Sequence, residues 1–88
     1  MNAARRANIA VLIKSLNELE NTKSEILADI QTLLDEEQEY YDNMPEGLQN
    51  GDKGEKAQAA VDQLQTAVDA VDGFDIQEVI GALEEACL

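Results

Sequence analysis

The sequence predicts an all-α fold: one long N-terminal helix packed antiparallel against two shorter helices, as a helical hairpin or three-helix bundle that forms oligomers. Apolar residues recur at 3-4 spacing from Ile9 to Met44. Met44-Pro45 and Asn50-Gly51 then indicate a turn. Two amphipathic segments follow. A chain of 88 residues is a single domain near the lower limit for a self-sufficient core, so a further copy is expected to help bury apolar area.

The first helix is predicted over about residues 3–43, with Asn2 as its N-cap. In heptad letters the a positions are Ile9, Leu16, Ile30 and Met44, and the d positions are Leu12, Leu19, Ile26, Leu33 and Tyr40. The e positions are apolar too, and they are the predicted self-association surface: Ile13, Leu27, Leu34 and Tyr41. An apolar stripe of this width is typical of a helix with more than one neighbour.

Two charged residues interrupt the a row, Lys23 and Glu37. One interpretation places them at the edge of the packed face, with buried stems and solvated charges. The other is that they select register or partner.

A turn is predicted over residues 44–53, with no helix from Gly47 to Gly54 apart from a short helical turn that Pro45 opens. The second helix is predicted over about 54–72, preceded by an Asp52-x-x-Glu55 start and ended by Gly73 as a left-handed cap. Its Ala-rich face lets the large side chains of the first helix approach closely.

The third helix is predicted over about 75–87, where Asp75 and Glu78 match a capping box. Gly81 lies inside it, which costs roughly 1 kcal/mol relative to Ala unless it permits a close helix contact. In a hairpin centred near Asn50, residues whose numbers sum to about 97 face each other. Lys23 would then lie near Asp72 and Asp75.

The composition argues against enzyme chemistry. There is no histidine and a single cysteine, Cys87, so the usual nucleophile–base pairs cannot be built. No glycine-rich phosphate loop is present, and the aspartates near Gly73 are interpreted as caps rather than metal ligands. We therefore expect no catalytic residue, no cofactor and no metal. The lone cysteine suits a reducing compartment.

The net charge of −13 opposes direct binding to nucleic acid or to anionic membranes and favours a protein partner with a basic surface. The apolar run after Arg5 and Arg6 is too short for a signal peptide or a membrane span, so a cytoplasmic location is expected. Eight carboxylates are the candidate partner-binding acidic face: Asp35, Glu36, Glu39, Asp42, Glu46, Glu55, Asp62 and Asp69. The alternative is an ordinary solvated surface.

The stretch from Asp35 to Asp72 resembles a pattern in small acidic helical proteins of bacteria and tailed phages. Its parts are an acidic, tyrosine-containing segment ending in D-N-M-P-E-x-L-Q, a glycine-containing turn and an Ala-rich helix. The resemblance supplies no site residues. It implies an accessory phage or prophage protein that binds a host or virion protein.

Two functions remain. The first is a non-enzymatic interaction module that binds and modulates a host nucleic-acid-handling or defence protein, as an inhibitor that mimics DNA with its acidic face. The second is a self-associating, coiled-coil-like structural or assembly factor.

Overall fold

The computed structural model describes all 88 residues, and it is helical without any strand. Its helices are α1 (Ala3–Asp42), α2 (Glu46–Gln49), α3 (Asp52–Asp72) and α4 (Ile76–Ala86). The predicted all-α fold, with a long N-terminal helix that packs on the others, is confirmed. None of the helices combines the length and apolar character that crossing a membrane requires.

The chain divides into two compact units. Unit 1 comprises Met1–Glu25 and Phe74–Leu88, and unit 2 comprises Ile26–Gly73. Helix α1 contributes residues to both units, whereas α2 and α3 belong to unit 2 and α4 to unit 1.

The core of unit 2 is small and contains Leu34, Ala57 and Val61. Gly54 is buried with them at the start of α3. A Cβ at this glycine would overlap the backbone of Gln49, at the end of α2. The close approach of α2 to α3 therefore requires glycine at this position.

The core of unit 1 is formed by Ile76 and Ile80 of α4. In the same unit the Lys23 ammonium donates a 2.6 Å hydrogen bond to the carbonyl oxygen of Phe74. These two residue numbers sum to 97, which is the register predicted for the hairpin. Lys23 is half-buried, as expected for a lysine whose stem is covered while its charged end reaches a polar partner.

The apolar stripe of α1 is only partly covered. The a and e positions are buried or half-buried through every heptad from Ile9 to Met44. The predicted d positions are exposed instead, in unit 1 and in unit 2: Leu12, Leu19, Ile26, Leu33 and Tyr40. Two neighbouring leucines show the contrast, since Leu33 is 54% exposed and Leu34 is 8% exposed. The stripe is wider than the surface that the chain's own helices cover.

Two of the predicted helix caps are formed. The backbone N–H of Arg5 donates to Asn2 Oδ1 at 2.8 Å, at the start of α1. The N–H of Glu78 donates to Asp75 Oδ1 at 3.0 Å, at the start of α4. Each side chain thereby satisfies one backbone donor that the first helical turn leaves without a partner.

Two predictions about helix ends are wrong, and one of the two alternatives for Gly81 is excluded. The N-cap of α3 is Gly51 and no side chain caps it, because Asp52 already lies within the helix. Gly73 has φ −72° and ψ −10°, a right-handed conformation, since the chain leaves α3 without the reversal that a left-handed cap makes. A Cβ at Gly81 would meet nothing within 4 Å, so this glycine supports no close helix contact.

The turn also contains more helix than the sequence predicts. The backbone N–H groups of Leu48 and Gln49 donate to the carbonyl oxygen of Pro45 at 2.9 and 3.1 Å, and Pro45 is the N-cap of α2 rather than its first residue. Helix α3 begins at Asp52, two residues earlier than predicted. Short range hydrogen bonds therefore continue through a segment that turn-forming residues had marked as non-helical.

Candidate functional site

The last turns of α1 carry a dense group of carboxylates, here called the α1 acidic end: Asp35, Glu36, Glu39 and Asp42. All four side chains are exposed. They occupy heptad positions c, f and g, which lie at least about 120° around the helix from the midline of the covered a and e rows. The acidic end therefore points away from the core of unit 2.

The spacing of these four charges can be compared with that of nucleic-acid phosphates. Residues 35 to 42 rise about 10.5 Å along the helix axis, which gives one charge per about 3.5 Å. A single strand of duplex DNA carries one phosphate per about 3.4 Å of axis. The α1 acidic end thus has the linear charge density of a short phosphate run.

A second and sparser row lies on α3, formed by Glu55, Asp62 and Asp69, which are all exposed. These residues are seven positions apart, so the row has one charge per about 10.5 Å. They lie about 100° or more around α3 from the midline between Ala57 and Val61 on its covered face. Both rows point away from the core between their helices.

Glu46 stands apart from both rows. It occupies the first turn of α2 and is exposed. A carboxylate there interacts favourably with the positive end of a helix. Local stabilisation of the turn therefore accounts for Glu46 without any partner.

Glutamine side chains hold several of the carboxylates. The amide Nε2 of Gln31 donates to Asp35 at 2.9 Å, and that of Gln38 donates to Asp42 at 2.9 Å. On α3, Gln65 Nε2 donates to Asp69 at 3.0 Å. Each contact joins residues four positions apart on one helix face, so the amides orient the carboxylates without neutralising their charge.

The predicted self-association residues lie on the covered side of α1. Leu34 is buried, and Ile13, Leu27 and Tyr41 are half-buried. Much of their surface is already removed from solvent within a single chain, and little is left for a second copy at Leu34. Apart from Val11, the large apolar side chains that remain exposed within α1 are those of the d positions.

A shallow cavity of about 330 Å³ opens at the end of α1 in unit 2. Its lining consists of Tyr40, Asn43, Met44, Pro45, Leu48 and Lys53. Beside it the amide of Gln49 donates to the carbonyl oxygen of Tyr41 at 2.9 Å, which ties α2 to the last turn of α1. The sequence predicts a turn here but no cavity, because side chains from three separate segments form the cavity.

The structure contains no group of three or more His, Cys, Asp or Glu side chains arranged to hold a metal ion. Cys87 is a free, half-buried thiol.

Comparisons with protein-family models, with curated proteins and with solved structures each returned no match for this chain.

Proposed function

We propose that the protein is a non-enzymatic interaction module that binds a basic surface of another protein through the α1 acidic end. The observation that supports this proposal is the outward placement of four exposed carboxylates whose average charge per length of helix axis is close to that of a DNA strand. A groove that binds nucleic-acid phosphates presents Lys and Arg at a matching density, so a nucleic-acid-handling protein is the proposed partner class. The protein would act there as a competitor of nucleic acid, consistent with an inhibitor encoded by a phage or prophage.

The position of the acidic end also supports recognition rather than helix stability. Carboxylates at the C-terminus of a helix interact unfavourably with its macrodipole, by about 0.3–1 kcal/mol each where exposed. The last turn of α1 contains no basic residue to offset them. A local cost of this kind is expected where the residues serve a partner.

The α3 row provides a matched control for testing the proposal. Two triple variants remove the same number of charges from unit 2: Glu36→Gln, Glu39→Gln and Asp42→Asn on α1, and Glu55→Gln, Asp62→Asn and Asp69→Asn on α3. Each triple includes one aspartate that accepts a glutamine amide. The two variants therefore differ mainly in where the charge is removed.

The experiment is quantitative affinity capture from a lysate of the source organism with the native chain and both triples, at low and high salt. We expect the α1 triple to lose partners that the α3 triple retains, and high salt to weaken capture by the native chain. An added single-stranded oligonucleotide should displace the partner if nucleic acid occupies the same groove. Equal losses from both triples would show that only total charge matters, and the proposal would then be wrong.

A further inference from the structure

One apolar surface in unit 2 has no partner within the chain. It is the row of d positions Ile26, Leu33 and Tyr40, exposed by 44, 54 and 52% respectively. Leu48 is exposed as well and lines the same cavity as Tyr40. The row and the cavity thus form one apolar surface, here called the d face. A seven-residue repeat of this kind keeps a helix row facing a neighbouring helix.

The total surface of the chain indicates what covers the d face. The accessible surface is 6239 Å², whereas a folded monomer of 9.6 kDa is expected to expose about 5,100 Å². The excess is about 1,100 Å², and a stable protein–protein interface buries about 800 Å² on each partner. Only five apolar residues of the chain are buried, which leaves the core short of what an 88-residue domain needs. An interface between copies on the d face would bury part of this excess and extend the small core.

We infer that the d face is the interface with a second copy of this chain, in which two α1 helices pair antiparallel about Leu33. Leu33 is the midpoint of the row, so a two-fold axis there places it against its own copy. Ile26 of one copy then meets Tyr40 of the other. An isologous interface of this kind is the commonest solution for homodimers. This inference does not rest on the proposed function, because it is argued from the apolar d face, which the α1 acidic end borders at Glu36 and Glu39.

Charge complementarity favours the antiparallel direction. Lys53 lines the cavity beside Tyr40 at one end of the row, and Glu25 and Asp29 flank Ile26 towards the other end. Antiparallel pairing brings Lys53 of one copy towards the acids of the other, whereas parallel pairing would bring like charges together. Glu36 and Glu39 also flank Tyr40. Asp29 of one copy therefore faces Glu36 of the other across the antiparallel pair, and this repulsion opposes association at low salt.

The primary test is the mass of the purified chain by sedimentation equilibrium, for the native protein and for Leu33→Asp. Val11→Asp is the matched control, since Val11 is exposed on the same helix at a different heptad position. We expect a native dimer, an increase of about tenfold or more in the dissociation constant for Leu33→Asp, and no change for Val11→Asp. Circular dichroism verifies that each variant is helical, and Tyr40→Glu is the second variant if Leu33→Asp does not fold.

The direction of pairing is tested by disulfide cross-linking in a Cys87→Ser background. Antiparallel pairing predicts that Leu33→Cys cross-links with itself, and that Ile26→Cys cross-links with Tyr40→Cys in a mixture but not with itself. Self-cross-linking at all three positions would instead establish a parallel pair and overturn the inference. A monomeric native chain, or a dimer that Leu33→Asp and Tyr40→Glu leave unchanged, would also overturn it. Raising the salt concentration should strengthen this dimer, which is opposite to its expected effect on capture of a basic partner.

Discussion

The Lys23 ammonium donates to the carbonyl oxygen of Phe74 at 2.6 Å and thereby joins α1 to the segment just before α4. The bond links residues 51 positions apart in the chain. It satisfies a carbonyl at a break between helices, where backbone acceptors lack an intrahelical partner. A charged residue at an a position, which the sequence left open to two interpretations, thus has its stem covered and its charge bonded.

Replacement of Lys23 by Met keeps most of the aliphatic stem and removes this donor. We expect the free energy of unfolding to fall by about 1 kcal/mol, because the bond involves a charged group but is accessible to water. Chemical denaturation of Lys23→Met measures the change. Lys14→Met is the control, as Lys14 is exposed on the same helix, and an equal loss in both variants would contradict a specific role for the Phe74 contact.

Truncation to alanine should lower the free energy of unfolding strongly at Leu34 and hardly at all at Leu33. Leu34→Ala removes a core side chain of unit 2 and is expected to cost about 2–3 kcal/mol of unfolding free energy. Leu33→Ala removes an exposed side chain and should change the stability of the isolated chain by less than about 0.5 kcal/mol. Thermal denaturation at low protein concentration, which disfavours the proposed pairing of copies, measures both. Comparable losses at the two positions would mean that Leu33 is also packed within the single chain.

Alanine substitutions at Gly54 of α3 and Gly81 of α4 should change stability in opposite directions. Gly81→Ala should stabilise the chain by about 0.5–1 kcal/mol, since the methyl group meets open space and alanine restricts the unfolded chain. Gly54→Ala should destabilise it by about 1–3 kcal/mol, because a Cβ there overlaps the Gln49 backbone. Urea denaturation of the two variants measures whether each substitution raises or lowers the free energy of unfolding. A neutral Gly54→Ala would show that α2 can move away from α3 at little cost.

Asp75 and Asp52 test which of the two predicted capping motifs operates. Asp75→Ala removes a side-chain cap and should cost about 1 kcal/mol, whereas Asp75→Asn retains an acceptor and should be nearly neutral. Asp52 caps nothing, so Asp52→Ala should lose only its interaction with the helix dipole, about 0.3–1 kcal/mol. High salt screens the interaction with the helix dipole. Denaturation in high salt should therefore leave the loss of unfolding free energy in Asp75→Ala unchanged and reduce the loss in Asp52→Ala.

Glu20 is a local defect that substitution should relieve. Its Oε2 atom is buried in the chain without a hydrogen-bond partner. Glu20 occupies an e position, and the other e positions from Ile9 to Met44 hold apolar side chains. Glu20→Leu should raise the free energy of unfolding by about 1–2 kcal/mol, because it removes an unsatisfied polar group. Glu18→Leu is the exposed control and should change stability by less than about 0.5 kcal/mol. A destabilised Glu20→Leu would indicate that the carboxylate has a partner in solution.

The sequence by itself determined the helical fold, the long first helix and the caps at Asn2 and Asp75. These features depend on periodicity and on hydrogen bonds within a few residues, which a local pattern contains. It also determined the register near Lys23 and Phe74, because the position of the turn largely sets which residues of the two arms of a helical hairpin face each other.

Only the tertiary structure decided which part of the α1 stripe is covered. From Ile9 to Met44 the d positions are all apolar, and the a and e positions are apolar except at Lys23, Glu37 and Glu20, so composition does not show which rows are covered; that depends on the angle at which neighbouring helices approach. The structure likewise decided the roles of Gly54, Gly73 and Gly81, since a glycine's role depends on the distance to the backbone beside it rather than on its position in a helix.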